Sequence, residues 1–186
     1  MPPSQNPKEG DEILLEEIYK VPYPIVLDIG AGDGKWGSLI DKERIKSICA
    51  LEVWGPHAAK LMDSYAYDSV IQDDMLNTDR IAYNSFNVII FGDVLEHVEK
   101  DKGIGLIKFL KANTKAIILL TIPISLCIQD GWVYGNPYET HKAQWTYEEL
   151  ISLGFECLHR GFNPNGLVEI GTYKMRCNNG KETIDI

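Results

Sequence analysis

Apolar residues in this chain follow two rhythms that keep trading places. Short unbroken runs, IVLDI (25–29), IKSICALEV (45–53), DSVIQ (68–72), FNVIIFG (86–92) and KAIILLTIPI (115–124), read as strands buried on both faces. Between them, DEILLEEIYK (11–20), KWGSLIDK (35–42), PHAAKLMDSYA (56–66) and DKGIGLIKFLKAN (101–113) read as helices, the last weakened by two glycines. The PYP segment at 22–24 stops the first helix, and Pro123 ends the fifth strand. Alternation of this kind predicts an α/β fold, a parallel sheet covered by helices on both faces. In such sheets ligands bind at the carboxyl ends of the strands.

The rhythm breaks after the fifth strand. Residues 123–145 hold glycine, proline and aromatics without a period, which predicts a lid loop. TYEELISL (146–153) restarts a helix with Thr146 and Glu149 spaced as a capping box. FECLHRGF and LVEIGTYKM, separated by the turn NPNG, read as a closing hairpin. The 186 residues suit one domain, 1–186, with a flexible tail over 1–10.

Composition narrows the classes of function. The net charge of −9, from 18 basic and 27 acidic residues, disfavours a broad surface for nucleic acid or anionic membrane. Cys49, Cys127, Cys157 and Cys177 form no C-x-x-C pair, so reduced thiols are expected rather than a redox or zinc motif. The first residues lack the order of a signal peptide and no apolar run reaches membrane length, which predicts a cytoplasmic protein.

The chemistry concentrates at two strand ends. DIGAGDGKWG is a strand, a glycine turn and a helix start, the arrangement that lets backbone approach a bound ligand. GDGKWG matches G-x-G-x-x-G at Gly32, Gly34 and Gly37, but counted from the strand end Lys35 stands where a dinucleotide site needs its third glycine. Asp28 and Asp33 flank the loop and would repel a pyrophosphate. S-adenosylmethionine, with a sulfonium and an ammonium, suits those acids better than NAD does.

Through VLDIGAGDG, the acid in ALEV, the IQDDM segment and FNVIIFGDVLEH, the chain resembles the class I S-adenosylmethionine-dependent methyltransferases over about residues 25 to 125. The resemblance implies a Rossmann-like three-layer sandwich on a seven-stranded sheet, parallel but for one strand. It also implies that the loop from Asp28 to Gly34, with Gly30, Ala31 and Gly32, holds the methionine portion of the donor. Glu52, beside Val53, would take the ribose hydroxyls. Asp74, with Met75, would lie against adenine, and Asp73 is the rival for that role. Asp93 would face the methyl end.

DVLEH places Asp93, Glu96 and His97 within one helical turn. Asp93 and Glu96 alone fit a capping box, whereas on one helix face all three would converge above the sheet. With His141 from the lid they make a candidate site for Mg2+ or Mn2+. This set resembles two metal-dependent branches of the family, the ubiquinone-biosynthesis O-methyltransferases and the small-RNA 3′-terminal 2′-O-methyltransferases. Those branches have glutamate where Asp93 stands, and the second has a segment similar to HKAQWT (141–146). Either His97 or His141 takes the acceptor's proton, or both ligate a metal that lowers the acceptor's pKa. Tyr134 and Tyr138 are candidates for the acceptor pocket. The expected activity is O-methylation of a small-molecule or sugar-like acceptor, with methylation of a terminal RNA ribose and an NAD-dependent oxidoreductase as the alternatives.

Overall fold

Seven strands form a single sheet in the order β3-β2-β1-β4-β5-β7-β6. They are β1 (Ile25–Ile29), β2 (Ser47–Glu52), β3 (Ser69–Gln72), β4 (Val88–Gly92), β5 (Ile117–Pro123), β6 (Glu156–Phe162) and β7 (Glu169–Arg176). The first five pair in parallel, and β7 runs antiparallel to both β5 and β6. This computed structural model describes residues 9–130 and 135–178. The architecture expected from the sequence, a mostly parallel Rossmann-like sandwich with one antiparallel strand, is the one observed.

The sheet is buried from both sides because successive residues of a strand point to opposite faces and both sets are apolar. On one face Val26, Ile48, Ile90 and Leu119 pack against Leu14 and Ile18 of α1 (Glu9–Tyr19), Trp36 of α2 (Lys35–Leu39) and Leu61 of α3 (Gly55–Met62). On the other, Leu27, Ile89 and Ile118 pack against Leu106, Ile107 and Leu110 of α4 (Lys100–Asn113) and Leu150 of α5 (Tyr147–Leu153). Thr146 and Glu149 close the predicted capping box at the start of α5, each side chain accepting from the other's backbone N–H. In the hairpin turn, Asn163 Oδ1 accepts from Leu167 N and Val168 N.

Several boundaries differ from the reading by period. Helix α1 starts at Glu9, inside the expected tail, and residues 1–8 lie outside the described ones. Helix α2 stops at Leu39 because Ile40 is extended, and Asp41 then caps a 3-10 turn over Lys42–Arg44. Helix α4 keeps both glycines, one with a use. A Cβ at Gly103 would stand 3.1 Å from the Trp145 ring, so the glycine lets that fully buried indole against the helix.

Candidate functional site

The carboxyl ends of β1, β2 and β4 and the turn after β3 surround a cleft of about 210 Å3. Its floor is the glycine turn. Gly30 has φ 66° and carries no Cβ because one would stand 2.6 Å from Val94, so the turn passes directly under the β4 loop. Gly30 N and Ala31 N donate to Leu51 O, which ties the turn to β2. Gly32 N donates to Glu52 Oε2 at 2.9 Å, and Trp54 N donates to Glu52 Oε1 at 2.8 Å. Each carboxylate oxygen keeps a second lone pair for a ligand hydroxyl.

Of the residues expected to hold the donor, Gly30, Gly32, Glu52, Val53, Asp74, Met75 and Asp93 line this cleft. Asp73 lines it too, but its oxygens are engaged by Asp74 N, Asn77 Nδ2 and Arg80. Asp74 gives one oxygen to Leu76 N and acts partly as a turn former. Asp28 and Ala31 are buried and stand off the cleft wall. Asp33 points away and pairs with Lys60 and His57. The charge argument drawn from Asp28 and Asp33 is therefore not carried by those two acids; the acids that line the cleft are Glu52, Asp73, Asp74, Asp93, Glu99 and Glu139, with Lys102 and Lys142. Lys35, standing where a third glycine was wanting, binds Asp11 of α1 at 2.6 Å.

Behind the glycine turn lies a contact that sequence reading missed. Tyr67, from the loop entering β3, donates to Asp28 Oδ2 at 2.6 Å and accepts from Gly37 N at 3.1 Å. A Cβ at Gly37 would stand 2.5 Å from the Tyr67 ring, so the glycine is the seat of that ring. Burial drives the Asp28 carboxyl up to about 7, with the Tyr67 hydrogen bond opposing it and Glu52 adding to it. No spacing rule connects residues 28 and 67.

At the end of β4 the chain does not enter a helix, and the capping box is not formed. Asp93 has φ 58°, a left-handed conformation that Asp tolerates at a cost, and Leu95–His97 forms a 3-10 turn capped by Val94 without a side-chain bond. That kink changes the expected constellation. Ligand atoms of Glu96, His97 and His141 all lie within 4.8 Å of one another, while Asp93 is outside that group. Its side chain, one methylene shorter than glutamate, leaves Oδ1 buried and unpartnered.

The lid brings His141 to the other two. Lys142 N and Ala143 N both donate to Glu96 O, and Trp145 Nε1 donates to Leu95 O. His141 Nδ1 lies 2.7 Å from Cys127 O, which can only accept, so Nδ1 donates there and Nε2 is the ring nitrogen left for another partner. The His97 and His141 rings stand edge to face with centroids 4.8 Å apart. Burial, and then His141, lower the His97 imidazole to about 4, so it is neutral at physiological pH. Burial and the charge of Asp93 raise the Glu96 carboxyl well above the usual range, and its Oε2 has no partner. Glu96 Oε2, which has no partner, and the two imidazoles are the groups that could hold a divalent cation.

Tyr138 lines the cleft from the lid's 3-10 turn (Pro137–Glu139), next to Asn136, Glu139 and Lys142, none of which the sequence singled out. Tyr134 lies outside the described residues. Among those residues, no helix is long and apolar enough to cross a membrane.

No protein-family model matches the sequence, and no curated protein sequence matches it. Solved structures do resemble the fold. PH0226 from Pyrococcus horikoshii OT3 superposes with a TM-score of 0.66 at 15% identity, covering 94% of each chain. The N-terminal domain of EvdMO1 with SAH bound gives 0.64 at 16% identity, covering 93% of this chain and 82% of that one. The same domain in the presence of SAH and D-fucose gives 0.62 at 16%, with 93% and 85% covered. The methyltransferase domain of bacterial CtHen1-C gives 0.61 at 15%, covering 89% and 96%. At these identities the likeness is one of fold, which in this chain is a seven-stranded, mostly parallel sheet flanked by helices.

Proposed function

We propose that the chain is an S-adenosylmethionine-dependent methyltransferase that methylates oxygen on a small-molecule or sugar-like acceptor, assisted by Mg2+ or Mn2+. The observation that carries the reading is Glu52, fixed at the end of β2 by Gly32 N and Trp54 N, on the wall of an acid-rich cleft over a glycine turn. Such a wall attracts a sulfonium and an ammonium and repels a diphosphate. The likeness in fold to a domain with SAH bound supports the donor, and the same domain's structure with D-fucose supports a sugar-like acceptor.

In this reading the donor's adenosine lies between Glu52 and Asp74 with Met75 against the base, and its methionine end follows Gly30 and Gly32 toward Asp93. The acceptor hydroxyl must be held roughly 3 Å from the methyl carbon, in line with the breaking C–S bond. Asp93 is the group placed to take the hydroxyl's proton. His97, neutral and held near 4 by burial, is a weak base and a good ligand. Glu96, His97 and His141 Nε2 would hold the ion, which when bound polarises an acceptor oxygen and lowers its pKa. The segment that Lys142 N and Ala143 N hold to Glu96 O would shield the methyl from water.

Calorimetric titration with S-adenosylhomocysteine and with NADH tests the donor. Binding of the first and not the second is expected, and tight NADH binding alone would refute the proposal. A terminal RNA ribose, with two adjacent hydroxyls, is the second reading. It is favoured by HKAQWT and by the likeness in fold to the CtHen1-C domain. It predicts RNA binding that weakens steeply with salt.

A further inference from the structure

Asp93 also walls a second cavity, of about 150 Å3, which shares no other lining residue with the donor cleft. It lies on the α1 face of the sheet, where the end of β5, the hairpin of β6 and β7 and the starts of α1 and α2 meet. That is several times the roughly 30 Å3 that one liquid water occupies.

Its lining is polar in a particular way. Thr121 is 4% exposed, lines the cavity, and its Oγ1 has no hydrogen-bond partner. Asp93 Oδ1 is likewise buried and unpartnered. Thr121 and Thr172 are cross-strand partners, so both hydroxyls stand on one face of the sheet. Asp93 N donates to Thr121 O, so the two residues that carry the orphan oxygens adjoin through their backbones at the cavity. Unsatisfied buried groups of this kind are rare in native proteins and take their partners from water or a ligand. Lys35 is already paired with Asp11 at the cavity wall, which His159 also lines, whereas Asp93 Oδ1 has no partner. An anion is disfavoured there, and a purely apolar molecule would leave the orphan oxygens dry. Hydroxyl groups donate and accept, and so match a carboxylate and two threonines at once. Phe162, at the rim, offers an apolar surface for a ring face.

Resting on the methyltransferase reading above, we propose that this second cavity is the acceptor subsite and that it takes a compact, uncharged polyol of sugar-ring size. One hydroxyl reaches past Asp93 to the donor methyl while its neighbours bond to Thr121 Oγ1 and the Lys35–Asp11 pair. The hydroxyl oxygen forms a bond to the methyl carbon as the C–S bond breaks. The bonding pair stays on sulfur, leaving a neutral thioether, and the hydroxyl proton passes to the Asp93 carboxylate. Asp93 then serves the acceptor, which accounts for its absence from the group formed by Glu96, His97 and His141.

D-fucose and a set of other hexoses serve as probes, titrated by calorimetry into protein saturated with S-adenosylhomocysteine and into its Thr121→Val variant. At least one hexose is expected to bind, and the variant to bind it about tenfold more weakly. Affinity for S-adenosylhomocysteine should be equal in the two proteins. The variant should unfold at no lower urea concentration than the unaltered chain, because valine removes a hydroxyl that lacks a partner. Crystals with both ligands should place the hexose between Thr121 and Asp93. The proposal is overturned if S-adenosylhomocysteine binds and no hexose does, if Thr121→Val leaves hexose affinity unchanged, or if the sugar lies on the donor side of Asp93. Failure of S-adenosylhomocysteine itself to bind would overturn the methyltransferase reading first, a separate result.

Discussion

Replacing Asp28 by asparagine should make the protein more stable, by an amount that grows with pH. The Asp28 carboxyl is fully enclosed, held by the Tyr67 hydroxyl at 2.6 Å, and its pKa is driven from 3.8 up to about 7. An acid whose folded pKa is raised holds a proton in the fold that the unfolded chain has given up. Below the unfolded value both states are protonated and the group has no effect. Between about 4 and 7 stability falls as pH rises, and above the folded value a constant penalty remains. At about 1.4 kcal/mol per pH unit, the full penalty is about 4 kcal/mol, order of magnitude. Near pH 5 it is about 2 kcal/mol, so the stability of Asp28→Asn relative to the unaltered chain should grow by about 2–3 kcal/mol between pH 5 and pH 8. Asparagine keeps an oxygen to accept from Tyr67, so the geometry of the turn survives. Urea unfolding of both proteins across that range measures the difference, in which every other titrating group cancels. A difference that stays flat, or shrinks as pH rises, would show that Asp28 is not the buried, proton-holding carboxyl described here.

Other outcomes follow from the same geometry. Glu52→Ala strips Gly32 N and Trp54 N of their acceptor and the donor of its ribose partner; S-adenosylhomocysteine affinity by calorimetry should fall ten- to a hundredfold, about 1.4–3 kcal/mol, and unchanged affinity would remove the observation on which the proposed function stands. Mn2+ added to the protein should lose its free-ion electron resonance signal, and His141→Ala should weaken that binding at least tenfold, while equal binding by both would place the ion elsewhere. Trp145→Ala empties a fully buried site and breaks the bond to Leu95 O; unfolding experiments should show a loss of about 3–5 kcal/mol, and a loss below about 1 kcal/mol would mean the indole does not anchor the lid. His97 has its pKa lowered to about 4, so stability from this neutral imidazole is present above about 6.5 and is lost as pH falls toward 4; His97→Gln should flatten that part of the acid unfolding profile.

The sheet was legible in the sequence because β1, β2, β4 and β5 are apolar at most of the positions that two covered faces demand, with Asp28, Glu52 and Thr121 as buried exceptions. The cleft lining from β1 and β2 was legible for a related reason: glycines at 30 and 32 and an acid at 52 sit at strand ends, where register decides their direction. DVLEH was not legible in the same way. Its helical spacing put Asp93, Glu96 and His97 on one face, but a left-handed φ at Asp93 turned the first away from the other two, and a single dihedral at a non-glycine residue leaves no trace in periodicity. Tyr67, the Lys35–Asp11 pair and the Thr121–Thr172 face were invisible for a third reason. They join segments far apart in the chain, and only the order of strands in the sheet makes them neighbours.

Strand order also decides when the protein can be finished. β7 lies between β5 and β6, so the apolar β5 waits for its second neighbour until residues 169–176 have left the ribosome. Throughout that interval a nascent chain exposes an open edge of Ile117–Pro123, the kind of edge that recruits foreign strands. Slow translation beyond α5 should therefore hurt yield more than slow translation before it. The last strand acts as the latch of biosynthesis, and chaperone dependence should track how promptly it arrives.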